Sequence, residues 1–296
     1  MDFLRLLAEY RIPAFDQIFQ WITLLAQETF VVVIICWLYW CSNKKTAYTL
    51  GFTYFLSGLM VQGLKITFRI PRPWILDPGF QPVSSAIPAA TGYSFPSGHT
   101  QSGTALFSTL GFSSSKKFIR FLCFFLMISI GFSRLYLGVH TPKDVLTAMF
   151  LTLIISAVVF FFLQPYLTDQ IHTGKISLLL FLTCVLLIIY AGFLYRTGGA
   201  DPEMAVDALK AGGAGFGFAI GYFIEQKYIR FSIPKSGKEK ALRFCAGLVS
   251  VILLMILFEL TLKKFLVGDV ISYFLLILWI VAGYPALFQY YSAKAA

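Results

Sequence analysis

The chain has 296 residues, of which 58% are hydrophobic and only 13% charged, with a mean hydropathy of +0.76. A soluble domain is roughly one-quarter charged, and here the deficit is gathered into long apolar runs, which excludes an ordinary soluble fold. A formal charge of +10 could suggest a nucleic-acid partner, but in so apolar a chain it marks basic cytoplasmic loops, and no nucleic acid is expected.

In chain order, the apolar runs predict nine membrane helices, near residues 18–41, 46–66, 98–113, 118–137, 142–163, 175–195, 204–226, 241–262 and 268–291. A helix needs about 20 such residues to cross the hydrocarbon core. The fold class is therefore all-α, a polytopic transmembrane helix bundle. Met1-Asp2-Phe3 has no basic leader, so the first span is expected to act as its own insertion signal. Gln20, Gln27 and Glu28 interrupt that span, and residues 13–27 either cross or lie along the interface. The third span is short and polar on one side, as suits a helix inside the bundle. The small-residue run Gly212–Gly221 suits close helix packing; without a preceding strand or a lysine it is not a phosphate loop. The five cysteines lack metal-type spacing and are expected to be small buried hydrophobes.

The loops after the first, third, fifth and seventh spans share one side by parity. They carry Lys44, Lys45, Lys116, Lys117, Arg120, Lys175 and the cations between Lys227 and Arg243. The positive-inside rule makes that side cytoplasmic, with Lys263 and Lys264 as exceptions on the other. The extracytoplasmic side then receives the loop Ile70–Pro96 and the turn near His140, in what is expected to be the cell membrane.

Three clusters fall on that side. They are Lys65-x6-Arg72-Pro73, Pro96-Ser97-Gly98-His99, and Ser133-Arg134-x5-His140-x3-Asp144. Lys65, Arg72 and Arg134 are cations without an equal number of acids nearby in the sequence, and arginine forks fit phosphate oxygens. Ser97 and Gly98 enter a helix, where free N–H groups favour an anion. Asp144 lies one turn from His140 and is expected to reach back to its ring, holding the tautomer and stabilising the imidazolium. His140 then attacks phosphorus, and His99 protonates the leaving oxygen and later activates water. His172 has no such company and reads as an interfacial hydrogen-bonder. No carboxylate–histidine cluster for a metal is visible on this side, where Asp77 stands alone in its loop, and no cofactor is expected.

These clusters resemble the three signature motifs of the type-2 phosphatidic acid phosphatase superfamily, with every fixed position present and in order across roughly residues 40–165. The resemblance implies a six-helix core, an anion site like that of vanadium haloperoxidases, and metal-independent dephosphorylation. It assigns Lys65, Arg72, Ser97, Gly98 and Arg134 to phosphate, His140 to attack, His99 to proton transfer and Asp144 to partnering His140. The expected division is a phosphatase core with its N-terminal helix over 1–165 and additional transmembrane helices over 166–296. The expected partners are membrane lipids and a phosphorylated lipid substrate, a phosphomonoester or an isoprenyl pyrophosphate. A lipid phosphotransferase using the same phosphohistidine is the alternative.

Overall fold

The computed structural model describes the backbone of residues 1–262 and 266–295, with the side chains of 266, 267 and 292–295 left aside. Lys263 and Lys264, the two exceptions to the charge pattern, lie outside the described residues. Among the described residues every regular element is helical.

A short amphipathic helix, α1 (Asp2–Glu9), precedes α2 (Pro13–Leu24) and α3 (Glu28–Trp37). The chain breaks between Leu24 and Glu28, where the sequence places its polar interruptions, and the two axes bend by 44°. This pair is one broken span or a re-entrant hairpin, and α2 stacks Phe19 against Phe132 and Tyr136. Asn43 then caps α4 (Lys44–Phe68), its Oδ1 accepting the Thr46 N–H at 3.0 Å. After a long loop holding the single turn α5 (Pro73–Leu76), the chain forms α6 (Gly98–Ser113), α7 (Lys117–Tyr136) and α8 (Pro142–Val158). The C-terminal helices are α9 (Thr173–Thr197), α10 (Pro202–Ile224), α11 (Gly237–Thr261), α12 (Leu266–Leu278) and α13 (Tyr284–Ala295). A π-helical turn, Trp279–Gly283, joins the last two.

A helix stands at each of the nine predicted spans, but among the described residues only five are long and apolar enough to cross a membrane unaided, or six counting the bent pair. The others are α4, α6 and α10, and the physical reason is their surroundings. On α6, Thr100, Gln101, Thr104, Ser108 and Thr109 are all buried in protein, so this helix needs no lipid-compatible face. Two of them bond across helices: Gln101 Nε2 donates to Ser57 Oγ on α4 at 2.7 Å, and Ser108 Oγ meets Ser156 Oγ on α8 at 2.7 Å. The outer helices show the converse. Leu178, Leu182, Leu186, Ile189 and Phe193 of α9 are each at least half exposed, a stripe that only lipid would solvate.

The small-residue run packs α10 against α12. A Cβ on Gly213 would come within 2.5 Å of the Val270 carbonyl, and one on Gly217 within 2.4 Å of the Phe274 carbonyl. At the bundle's basic end, Glu225 is fully buried at the end of α10 and binds Lys44 Nζ at 2.5 Å. It also accepts from Tyr48 and Gln226, so the charge is fully engaged. His172 pairs with Asp169 at 2.7 Å on the protein's surface.

Candidate active site

The three sequence clusters meet at the end of the bundle away from Lys44. Local geometry explains how. Arg69 adopts a left-handed conformation (φ 50°) and turns the chain out of α4. Gly138 (φ 75°) makes the turn after α7, where a Cβ would strike Phe80 and the Arg11 guanidinium. Thr141 opens α8 with Pro142 in the first turn and a capping box: Thr141 Oγ1 accepts from Asp144 N, and Asp144 Oδ2 accepts from Thr141 N. The intervening loop is clamped from the N-terminus. Asp77, isolated in the sequence, is bound by Arg5 at 2.6 Å, and Arg11 Nη1 donates to the Gln81 carbonyl.

Arg72 is 5% exposed, and each of its three nitrogens has a partner. Its Nε donates to Gly92 O at 2.9 Å, Nη2 to Thr91 O at 2.5 Å, and Nη1 to Val139 O at 3.1 Å and to His140 Nε2 at 2.8 Å. Lys65 Nζ donates to Tyr93 O at 2.8 Å. One short segment, Thr91–Tyr93, therefore holds both cations through its carbonyls. Burial brings Arg72 down to about 10, so it is still a cation at neutral pH.

His140 is 2% exposed. Burial first, then the cations Arg72, Arg134 and Lys65, hold its pKa well below the usual imidazole range, so the ring is neutral and its Nε2 lone pair accepts from Arg72. The expected direct bond from Asp144 is not made: the carboxylate stands 3.6 Å from His140 Nδ1. Capping geometry explains this, because the same Oδ2 is engaged by Thr141 N at 2.8 Å and by Ser94 Oγ at 2.6 Å. Ser94 is the residue the sequence reading missed. It is fully buried, and its Oγ lies 3.4 Å from His140 Nδ1, bridging ring and carboxylate. Its place three residues before Ser97 was the available signal.

Ser97 also differs from expectation. Its N–H donates to the Asp144 carbonyl at 3.1 Å, and its Oγ accepts from Thr100 N and Thr100 Oγ1. It is a helix cap whose own hydroxyl proton stays free to donate, while the first-turn N–H groups of Gly98 and His99 have no carbonyl partner within the helix. Arg134 is 1% exposed; Nη1 donates to Thr23 Oγ1 at 2.8 Å, but Nε and Nη2 are buried without a partner among the described residues. His99 Nε2 is likewise buried and unpartnered.

Lys65, Arg72, Gly98, His99 and His140 line one cavity of ≈340 Å³; Ser97, Arg134 and Asp144 are not in its wall. The cations are not without acids after all, because Glu28 and Asp207 share the cavity from α3 and α10. Chain folding brings them there from far away in sequence. Chemically, the arrangement offers anion-binding cations beside one neutral imidazole, with a second imidazole nitrogen free in the same pocket.

Comparisons with known proteins agree with this frame. Residues 46–167 match the family model described as PAP2 superfamily. Residues 209–295 match a second model, PAP2 superfamily phosphatase, transmembrane extension, so the likeness does not stop near residue 165. Undecaprenyl-diphosphatase BcrC of Bacillus subtilis (strain 168) is 30% identical over 157 residues, 51% of this chain and 78% of that protein. Among solved structures, Aquifex aeolicus LpxE is 26% identical, with a TM-score of 0.47 over 53% of this chain and 92% of its own. The PAP2-type phosphatidylglycerolphosphate phosphatase of Bacillus subtilis is 23% identical, with a TM-score of 0.45 over 53% and 81%. The chain is a multi-pass membrane protein, and it belongs to the PAP2 superfamily of membrane phosphatases.

Proposed function

We propose that the protein hydrolyses a phosphorylated lipid through a phosphohistidine on His140, without a metal ion. The observation that carries this reading is the pairing of Arg72 Nη1 with His140 Nε2 at 2.8 Å in the cavity that also receives the unpartnered His99 Nε2. With the Nδ1 proton directed at Ser94 and Asp144, the Nε2 lone pair is the one available for attack. Arg72 holds that nitrogen and is placed to transfer its N–H to a phosphate oxygen.

In the first step Nε2 attacks phosphorus, a P–N bond forms, and the ester P–O bond breaks. His99 gives its proton to the departing oxygen. In the second step water attacks phosphorus, His99 takes the water's proton, and the P–N bond breaks to release inorganic phosphate and neutral His140. Lys65, Arg72, Arg134, the Gly98 N–H and the Ser97 hydroxyl neutralise the equatorial oxygens. Asp144 stabilises the cationic phosphoimidazole through Ser94. Residues 1–165 carry this chemistry as the core, and 166–296 form the added helices. The site lies at the bundle end opposite the basic loops, so the positive-inside rule supports an extracytoplasmic active site in the cell membrane.

Leaving-group dependence separates the two histidines. His140→Ala is expected to lose about four orders of magnitude on both lipid and activated aryl phosphates, as a missing nucleophile does. His99→Ala is expected to fail on the lipid ester but recover on the aryl ester, whose phenolate departs without a proton. Rescue of His140→Ala alone would exchange the roles, and equal rescue would remove the covalent nucleophile. Activity is also expected to survive EDTA and to be inhibited by vanadate; loss with EDTA and recovery with Mg²⁺ would refute the metal-free mechanism.

A further inference from the structure

Arg134 takes its partner from outside the three sequence clusters. Its Nη1 donates to Thr23 Oγ1 on α2 at 2.8 Å, while Nε and Nη2 are buried without a partner among the described residues. Those two nitrogens are not an arbitrary pair. Nε and Nη2 share one edge of the guanidinium plane, the edge that forks onto two oxygens of an anion. Thr23 takes the corner behind that edge, so its bond fixes the plane and leaves the fork open.

Of the residues of α2, Thr23 alone is buried, at 2% exposure. The helix is pinned to the end of α7 that carries Arg134. Tyr136 Oη donates to Asp16 Oδ1 at 3.1 Å and accepts from the Ile12 N–H at 3.3 Å, and Arg11 Nε donates to the Tyr136 carbonyl at 3.1 Å. Thr67, Thr183 and Thr197 each turn the hydroxyl onto the carbonyl four residues back in their own helix. Thr23 Oγ1 instead meets a cation on another helix. A neutral oxygen is also the acceptor that an anion site tolerates. A carboxylate in its place would hold the same nitrogen, but it would cancel the charge and compete with an incoming phosphate. Arg134 is near enough to His140 for its charge to act on that ring.

We propose that Thr23 is a positioning residue for phosphate binding, holding the Arg134 guanidinium by Nη1 so that its Nε–Nη2 edge meets two phosphoryl oxygens. Thr23 lies outside residues 46–167 and 209–295, which match the family models, and the N-terminal segment thereby completes the anion site of the core. The role rests on the phosphatase reading for its substrate, but the hold on the anion can be measured without turnover.

The test is vanadate binding to the full chain in detergent, read from the rise in melting temperature with vanadate concentration, alongside phosphate release from an activated aryl ester. Thr23→Val is expected to bind vanadate about tenfold or more weakly, the equivalent of one charge-assisted hydrogen bond, with kcat lower by a similar factor. Thr23→Ser keeps the oxygen and is expected to stay within about threefold of the wild type, whereas Thr23→Ala follows Thr23→Val. The serine–alanine comparison carries the test where the valine variant does not fold. The losses of Thr23→Val and Arg134→Met are expected to be non-additive, because the one acts through the other. Wild-type vanadate affinity in folded Thr23→Val or Thr23→Ala, an equal loss in Thr23→Ser, or additive losses with Arg134→Met would overturn the positioning role. Vanadate binding that needs the Thr23 oxygen, without phosphate release by the wild type, would refute the phosphatase reading and keep the role; phosphate release with vanadate binding indifferent to Thr23 would do the reverse.

Discussion

Arg134→Met tests the anion site where its geometry is most exposed to refutation. The guanidinium is 1% exposed, yet Nε and Nη2 have no partner, and only Nη1 is engaged, by Thr23. A buried cation with unmade hydrogen bonds costs the folded state several kcal/mol, roughly. An anion that accepts from both donors would recover about 1.5–3 kcal/mol per charged hydrogen bond. Two such bonds come to about 3–6 kcal/mol, or roughly two to four orders of magnitude in affinity. Methionine keeps the length of the stem and removes the charge and the orphan donors. The unliganded variant is therefore expected to melt at the wild-type temperature or a few degrees above it, while vanadate no longer raises the melting point. Thermal unfolding in detergent with and without vanadate, alongside phosphate release, reads both effects. Vanadate stabilisation within about threefold of wild-type affinity would show that the orphan donors are not directed at an anion. A strongly destabilised variant would instead make Arg134 a structural cation.

Ser94→Ala removes the bridge between His140 Nδ1 and Asp144 Oδ2. It is expected to lower kcat about 10- to 100-fold with KM unchanged, and to be non-additive with Asp144→Asn; two independent, additive losses would sink the relay. For sidedness, a cysteine at Ser85 is expected to react with an impermeant thiol reagent from outside intact cells, and one at Ser236 only after the membrane is opened, both in a variant lacking the exposed Cys245. The opposite pattern would place the site in the cytoplasm.

Composition and spacing alone determined that this chain is a helical membrane bundle, because apolar runs long enough for a bilayer have few other uses. The three motifs likewise placed Lys65, Arg72, His99 and His140 together, since each is tied to a helix end whose side is set by parity. Tertiary structure decided the rest. Span counting overestimated the self-sufficient helices because α4, α6 and α10 are solvated by protein, and a hydropathy pattern does not say which solvent a helix meets. Spacing put Asp144 one turn from His140, but a carboxylate has few lone pairs, and the Thr141 cap and Ser94 take Oδ2 first. The Ser97 N–H was lost to phosphate for a similar reason, its partner being the carbonyl of Asp144, 47 positions away. The rest of the cavity lining was least legible of all. Glu28, Asp207 and Tyr273 sit on three helices widely separated in the chain; α3 and α10 pack against α4 and α12 packs against α10, and only that packing brings the three residues to one cavity.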